Sequence, residues 1–160
     1  MPPLFTIKNR KNMNEQDTNV SFFRFEDLRI YAKAMDYITW LYGEIQNITD
    51  DALAFLKESF LKSAHGIALN TAEGSSRNKT QFLYYLKMAK SSVRECVVYT
   101  EIATRKGVFQ NEATEYSRNQ LMELTKMIGS LIASLQRSAG AISREEKDED
   151  MLDPINDMSF

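Results

Sequence analysis

Few side chains in this 160-residue chain could do covalent or acid–base work: one histidine, His65, one cysteine, Cys96, and the carboxylates Glu73 and Glu95. Nucleophilic catalysis needs a thiol or hydroxyl beside a base that is itself oriented by a carboxylate. His65 has Leu61, Lys62, Ala68 and Leu69 as its helical neighbours, none of which can orient it as a base. Cys96 falls on an apolar row with Val93 and Thr100, the place of a small core residue. Glu73 and Glu95 have the chemistry of an acid–base pair, but the seam between packed helices leaves little room for a substrate. One His and one Cys also exclude a His-rich zinc site and a disulfide framework. Gly74-Ser75-Ser76 lacks the strand and the Lys of a phosphate-binding loop. These residues predict no catalytic site, no metal and no cofactor.

Two polar groupings are better candidates. The first surrounds Asn70-Thr71-Ala72-Glu73-Gly74, a helix that stops on glycine with a carboxylate where the helix dipole favours a cation. Arg77 lies four residues on and Lys79 opens the next helix. Asn70 and Glu73, with Ser92 and Glu95 on the facing helix, are expected to form a polar network that fixes the register of the two helices. The second is a basic stripe. Seven cations and only two acids lie between Ser76 and Gly107, and Lys87, Lys90 and Arg94 share one helical face at i, i+3 and i+7. Arg77, Lys79, Lys87, Lys90 and Arg94 are the candidate contacts to the phosphates of RNA or DNA.

The elements that must position these groups are helical. Proline occurs only at positions 2, 3 and 154, so nothing from Leu4 to Asp153 interrupts helices by that route. The first predicted helix has a row Leu28, Tyr31, Met35, Ile38, Tyr42 and Ile45, and a second apolar row Ile30, Ala34, Tyr37 and Leu41. The second carries Leu53, Leu56, Phe60, Ala64, Ile67 and Thr71, is capped by Thr49 or Asp50, and ends with Gly74 at the left-handed position. The third starts at Asn78 and runs through Phe82, Leu86, Ala89, Val93, Cys96, Thr100 and Ala103 to Gly107. The fourth starts at Asn111 and continues through Leu121, Leu124, Ile128, Leu131 and Leu135.

Four helices of about 33–44 Å joined by short loops predict an all-α, antiparallel up-down-up-down four-helix bundle over residues 22–142. Residues 1–21 read as a flexible arm and 143–160 as an acidic, disordered tail with seven acids against Arg144 and Lys147. Without that tail the net charge of −2 becomes a body of 18 basic and 15 acidic residues. A helix that is apolar on two faces predicts self-association, with Tyr37, Trp40, Tyr84 and Met88 as interface residues. No apolar stretch reaches the length of a membrane span or a signal peptide, so a cytoplasmic location without a membrane partner is expected.

Phe25-Glu26-Asp27-Leu28, the Asn70–Gly74 element with Ser75-Ser76-Arg77, Phe82 to Leu86 and Ser92-Val93-Arg94-Glu95 follow one another as the motifs of a known family do. Over Phe25 to Ile142 the chain resembles the bacterial four-helix-bundle proteins related to those encoded by ribosomal RNA intervening sequences. That resemblance implies a homopentameric, barrel-like assembly without enzymatic activity. A more distant likeness is to the accessory variability determinant of diversity-generating retroelements, which implies nucleic acid and a reverse transcriptase as partners. The expected function is therefore a self-associating adaptor for nucleic acid or a nucleic-acid enzyme. The other reading is a protein–protein scaffold that makes no nucleic-acid contact.

Overall fold

The computed structural model describes residues 21–143, with side chains to Gly140; the predicted arm, apart from Ser21, and the predicted tail beyond Ser143 lie outside these residues. A 3-10 turn, Arg24–Asp27, leads into α1 (Arg29–Ile45). After a polar loop and a second 3-10 turn, Asp51–Leu53, come α2 (Ala54–Ser75), α3 (Lys79–Arg105) and α4 (Asn111–Ser143). There are no strands among the described residues.

Cross-helix pairs fix the topology. Tyr42 meets His65 and Lys57 reaches the Gln46 carbonyl, so α1 and α2 are antiparallel. Ser63 bonds Glu95 and Gly74 abuts Tyr85 in the α2–α3 pair. Thr104 bonds Thr114 while Lys79 reaches Ser138 in the α3–α4 pair. Tyr37 with Ser117 and Lys33 with Glu123 close the ring from α1 to α4. Neighbours therefore alternate in direction, as expected. α2 and α3 pack most extensively, and α1 and α4 most sparsely.

The helix ends follow local chemistry. Asp50 accepts from the Ala52 amide at 2.9 Å and Asn78 from the Gln81 amide at 2.9 Å, each satisfying a donor that the turn leaves open. Gly107, at φ +73°, closes α3: its amide bonds the Thr104 carbonyl at 3.1 Å, and the Val108 amide bonds that of Ala103 at 2.9 Å. Gly74 does not close α2 in this way. The helix runs on through Ser75, and Gly74 is buried against α3, where an added Cβ would lie 2.7 Å from the Tyr85 Cβ. The glycine serves close approach rather than a left-handed turn. Termination falls instead to Ser75 and Ser76, whose hydroxyls donate to the Ala72 and Glu73 carbonyls at 2.8 Å.

The inner row of α1 also differs from the expectation. Ile30, Ala34, Tyr37, Ile38, Leu41 and Ile45 are buried, whereas Met35 and Tyr42 are exposed. The buried face takes the whole second row together with Ile38 and Ile45 of the first, and the Tyr37 phenol has a buried partner. Tyr37 Oη lies 2.8 Å from Ser117 Oγ, which lies 2.7 Å from Thr100 Oγ1, which donates to the Cys96 carbonyl at 2.8 Å. Each hydroxyl has one proton, so the last bond orders the others: Ser117 donates to Thr100 and Tyr37 to Ser117. This chain ties α1, α3 and α4 together in the apolar core.

Two expected results follow. Tyr37→Phe removes the terminal donor and should lower unfolding stability by about 1 kcal/mol, read from a denaturant midpoint at unchanged slope. Burial pushes the Cys96 thiol and the Tyr37 phenol above their ordinary values, with Glu95 adding to the first and Cys96 to the second. Both groups stay protonated in the folded protein after the unfolded chain has released its protons. Their contribution is thus complete below the unfolded thiol pKa of about 8.5 and is lost as pH rises beyond it. Thermal midpoints should fall from about pH 9 upward, and less steeply in Cys96→Ala.

Candidate nucleic-acid interface

α3 has three surfaces of different chemistry. Its core row is Leu86, Ala89, Val93, Cys96, Thr100 and Ala103, all buried. On the side flanking α4 stand Lys87, Lys90 and Arg94, the first and last exposed and Lys90 half-buried. None of these three has a carboxylate partner among the described residues; Arg94 Nη2 donates only to Ser91 Oγ, at 3.3 Å. The other two predicted cations are engaged. Arg77 pairs with Glu73, its Nε lying 2.9 Å from Oε1, and that contact holds the guanidinium pKa above its ordinary value. Lys79 Nζ donates to Ser138 Oγ at 2.6 Å.

Arg118, which no sequence pattern singles out, joins this side from α4. It lines two shallow grooves that share Val97 of α3 and continue to Val98 and Ile102 or to Met122. Its neighbourhood follows from the α3–α4 register, in which Thr100 faces Ser117. No spacing within α4 reveals that register. The basic side ends at Glu101, which pairs with Arg105.

The four residues expected to form one polar network are not joined to one another. Glu73 is exposed and pairs with Arg77 on its own side of the turn. Asn70 donates back to the Gly66 carbonyl of its own helix at 2.8 Å. Glu95 accepts from Ser63 Oγ at 2.6 Å, about two turns before Asn70 along α2. Ser92 packs against Gly66, where an added Cβ would meet its Oγ at 2.6 Å. The carboxylate at the end of α2 is offset by a single ion pair, while buried hydroxyls tie together α1, α3 and α4.

Of the predicted interface residues, Tyr37 is corrected: at 0% exposure it is a core residue, held there by its bond to Ser117. Trp40 is half-buried against Tyr37, Phe109 and Tyr116. Tyr84 and Met88 are exposed on a third surface of α3, and Val98 and Ile102 are exposed about three turns further along the helix. Each pair keeps a spacing of four, and Ser91 with the exposed Glu95 separates the two pairs.

The residues with catalytic chemistry are dispersed. His65 Nε2 lies 3.0 Å from Tyr42 Oη and stacks on its ring. Cys96 is buried in the core, and its raised pKa keeps it a thiol. No group of His, Cys, Asp and Glu among the described residues could hold a metal ion, and no described helix is long and apolar enough to cross a membrane.

Residues 26–130 match the family model for the 23S rRNA-intervening sequence protein. The chain belongs to this family. The match spans α1, α2, α3 and α4 as far as Ser130, together with the motifs that carried the resemblance apart from Phe25. Among solved structures, a protein of unknown function from the S23 ribosomal protein family of Bacteroides thetaiotaomicron is similar in fold, with a TM-score of 0.61 and 18% identity. The alignment covers 65% of this chain and 95% of that one. No curated protein matches the chain. In this intervening-sequence family member the candidate surface is thus the exposed side of α3, on a fold shared with that relative.

Proposed function

We propose that the protein is a non-enzymatic, self-associating bundle that binds nucleic acid, or an enzyme acting on nucleic acid such as a reverse transcriptase, through α3. The observation that carries this reading is the row Lys87, Lys90 and Arg94: three cations on one helical face without a carboxylate partner among the described residues. Surface cations beside acids are already neutralised, whereas an unpartnered row keeps its field for phosphates. A rigid helix spaces the charges along a polyanion without needing to order a loop.

Self-association is supported by the third surface of α3. Tyr84 and Val98, each 58% exposed, belong with Met88 and Ile102 to two apolar pairs that face away from the core. The resemblance drawn from the sequence implies a five-membered barrel, in which the basic row would be repeated around the assembly. Paired Met88→Glu and Val98→Glu substitutions are expected to reduce the mass found by light scattering to that of a single chain.

The function is tested by binding to a fluorescent single-stranded RNA across a salt titration. Three phosphate contacts predict a slope of about −2 in log K against log salt, or a roughly twentyfold loss of affinity between 50 and 200 mM. A flat profile sinks the nucleic-acid reading. The same exposed apolar residues favour a second reading, a scaffold that recruits another protein without nucleic acid. Retention of that partner after nuclease treatment, by a chain that does not bind RNA, would support it.

A further inference from the structure

The basic row forms one wall of a groove. Lys87, Lys90, Arg94 and Val97 follow one another on α3 at spacings of three, four and three, and so share a face. On α4, Arg118, Met122, Thr125 and Gly129 do the same at four, three and four. Val97, Arg118, Met122 and Thr125 line a single groove, so the two faces border the same seam. The bonds Thr104–Thr114, Thr100–Ser117 and Lys79–Ser138 set its antiparallel register. In that register Met122 stands across from Arg94, and Arg118 lies about 8 Å beyond Arg94 and about 18 Å beyond Lys87 along the seam.

The two walls differ in chemistry. The α3 wall supplies Lys87, Lys90 and Arg94, none with a carboxylate partner among the described residues. The α4 wall carries no charge until Arg118. At Gly129, level with Lys87 and Lys90, an added Cβ would meet nothing within 4 Å, so the seam stands open there. Arg118 is exposed and shares its groove with Val97, Leu121 and Met122, and it too has no carboxylate partner among the described residues. A planar guanidinium among apolar side chains offers a flat face as well as a charge.

We propose that the nucleic acid bound here is a single strand, lying along the α3–α4 seam with its phosphates on Lys87, Lys90 and Arg94 and a base stacked on the Arg118 guanidinium. This rests on the function proposed above and narrows its ligand. A single strand has one charged edge and one edge of flat, uncharged bases, the same division as the two walls. Unpaired bases stack on guanidinium planes as they do on aromatic rings. A duplex keeps its base faces between two charged backbones, so it meets the cations of α3 and leaves the α4 wall uncovered. Arg118 thereby becomes the residue that tells strand from duplex, while the row on α3 holds either one.

The test uses the full chain with two probes, an unstructured fluorescent single-stranded RNA and the same strand annealed to its complement. The single strand should bind about tenfold more tightly at 0.1 M salt. Arg118→Lys keeps the charge and removes the plane. It should cost the single strand about tenfold, leave its salt slope unchanged and leave duplex binding as it was. Gly129→Leu fills the open stretch of the seam without changing charge, and it should weaken the single strand alone. A duplex that binds as tightly as the strand overturns the proposal, as does an Arg118→Lys protein that retains full single-strand affinity or loses both probes equally. If both probes bind alike with a salt slope, the nucleic-acid reading stands and the single-strand assignment fails. If neither binds, both fail together.

Discussion

Gly74→Ala should destabilise the bundle by about 1–3 kcal/mol, although alanine is the better helix former. Gly74 lies inside α2 with ordinary helical backbone, where exchange for alanine ordinarily gains about 0.5–1 kcal/mol. Packing reverses the sign. The new Cβ would stand 2.7 Å from the Tyr85 Cβ and 2.8 Å from Phe82 Cδ2. Phe82 can turn its ring, but a Cβ is fixed to its backbone, so α2 and α3 must move apart. They do so at the most extensively packed pair of helices in the fold. Two controls separate packing from propensity. At Gly43 and Gly129 a methyl group would have nothing within 4 Å, so alanine there should raise stability by the usual helical increment. Gly66 is intermediate, because the obstructing atom is the Ser92 hydroxyl, which can rotate away. Denaturant midpoints of the four alanine variants should therefore rank Gly74 lowest, Gly66 above it and the two controls above the parent. A stabilised Gly74→Ala would show that the helices are not held this closely.

Changing Lys87, Lys90 and Arg94 together to Gln should weaken RNA binding about a hundredfold at 0.1 M salt, or ~3 kcal/mol. Each lost phosphate contact should also reduce the salt slope by about 0.7, so the triple variant approaches a flat profile. Fold stability should change little, since all three side chains stand outside the core row of α3 and none forms an ion pair among the described residues. Arg77→Gln gives the contrast. Its guanidinium is already neutralised by Glu73, so it should cost less affinity than any member of the unpartnered row. Equal losses at Arg77 and Lys90 would mean that net charge alone, not the row on α3, sets the affinity.

The helices were legible because periodicity and caps are local. Asn78 caps α3 as its spacing with Gln81 suggests, Gly107 ends it with a positive φ, and the buried rows of α2, α3 and the first half of α4 recur where the sequence places them. Sequence and structure part where two local patterns compete and only a distant partner decides. α1 has two apolar rows, and the buried face combines all of the second with Ile38 and Ile45 of the first, an arrangement in which Tyr37 meets the buried Ser117 hydroxyl 80 residues away. Gly74 has the composition of a left-handed cap, but the proximity of Tyr85 makes it a contact residue. The basic row was visible as spacing. Which of its members stay unpaired, and that Arg118 lines the neighbouring grooves, depends on the register of α3 against α4.

The uneven packing around the ring gives the fold an order of disassembly. α2 and α3 interlock at Gly66 and Gly74, whereas α1 meets α4 sparsely, through the Tyr37 hydroxyl, the Lys33–Glu123 pair and the packing of Trp40 on Tyr116. Sub-global opening that detaches α1 breaks fewer contacts than any separation of the central hairpin, so amide exchange in α1 proceeds by a cheaper route than in α3. The vacated slot is the shape of another α1. If copies self-associate as proposed, the same opening would let a first helix enter its neighbour's bundle instead of its own, an exchange of an element that surface contact alone does not provide.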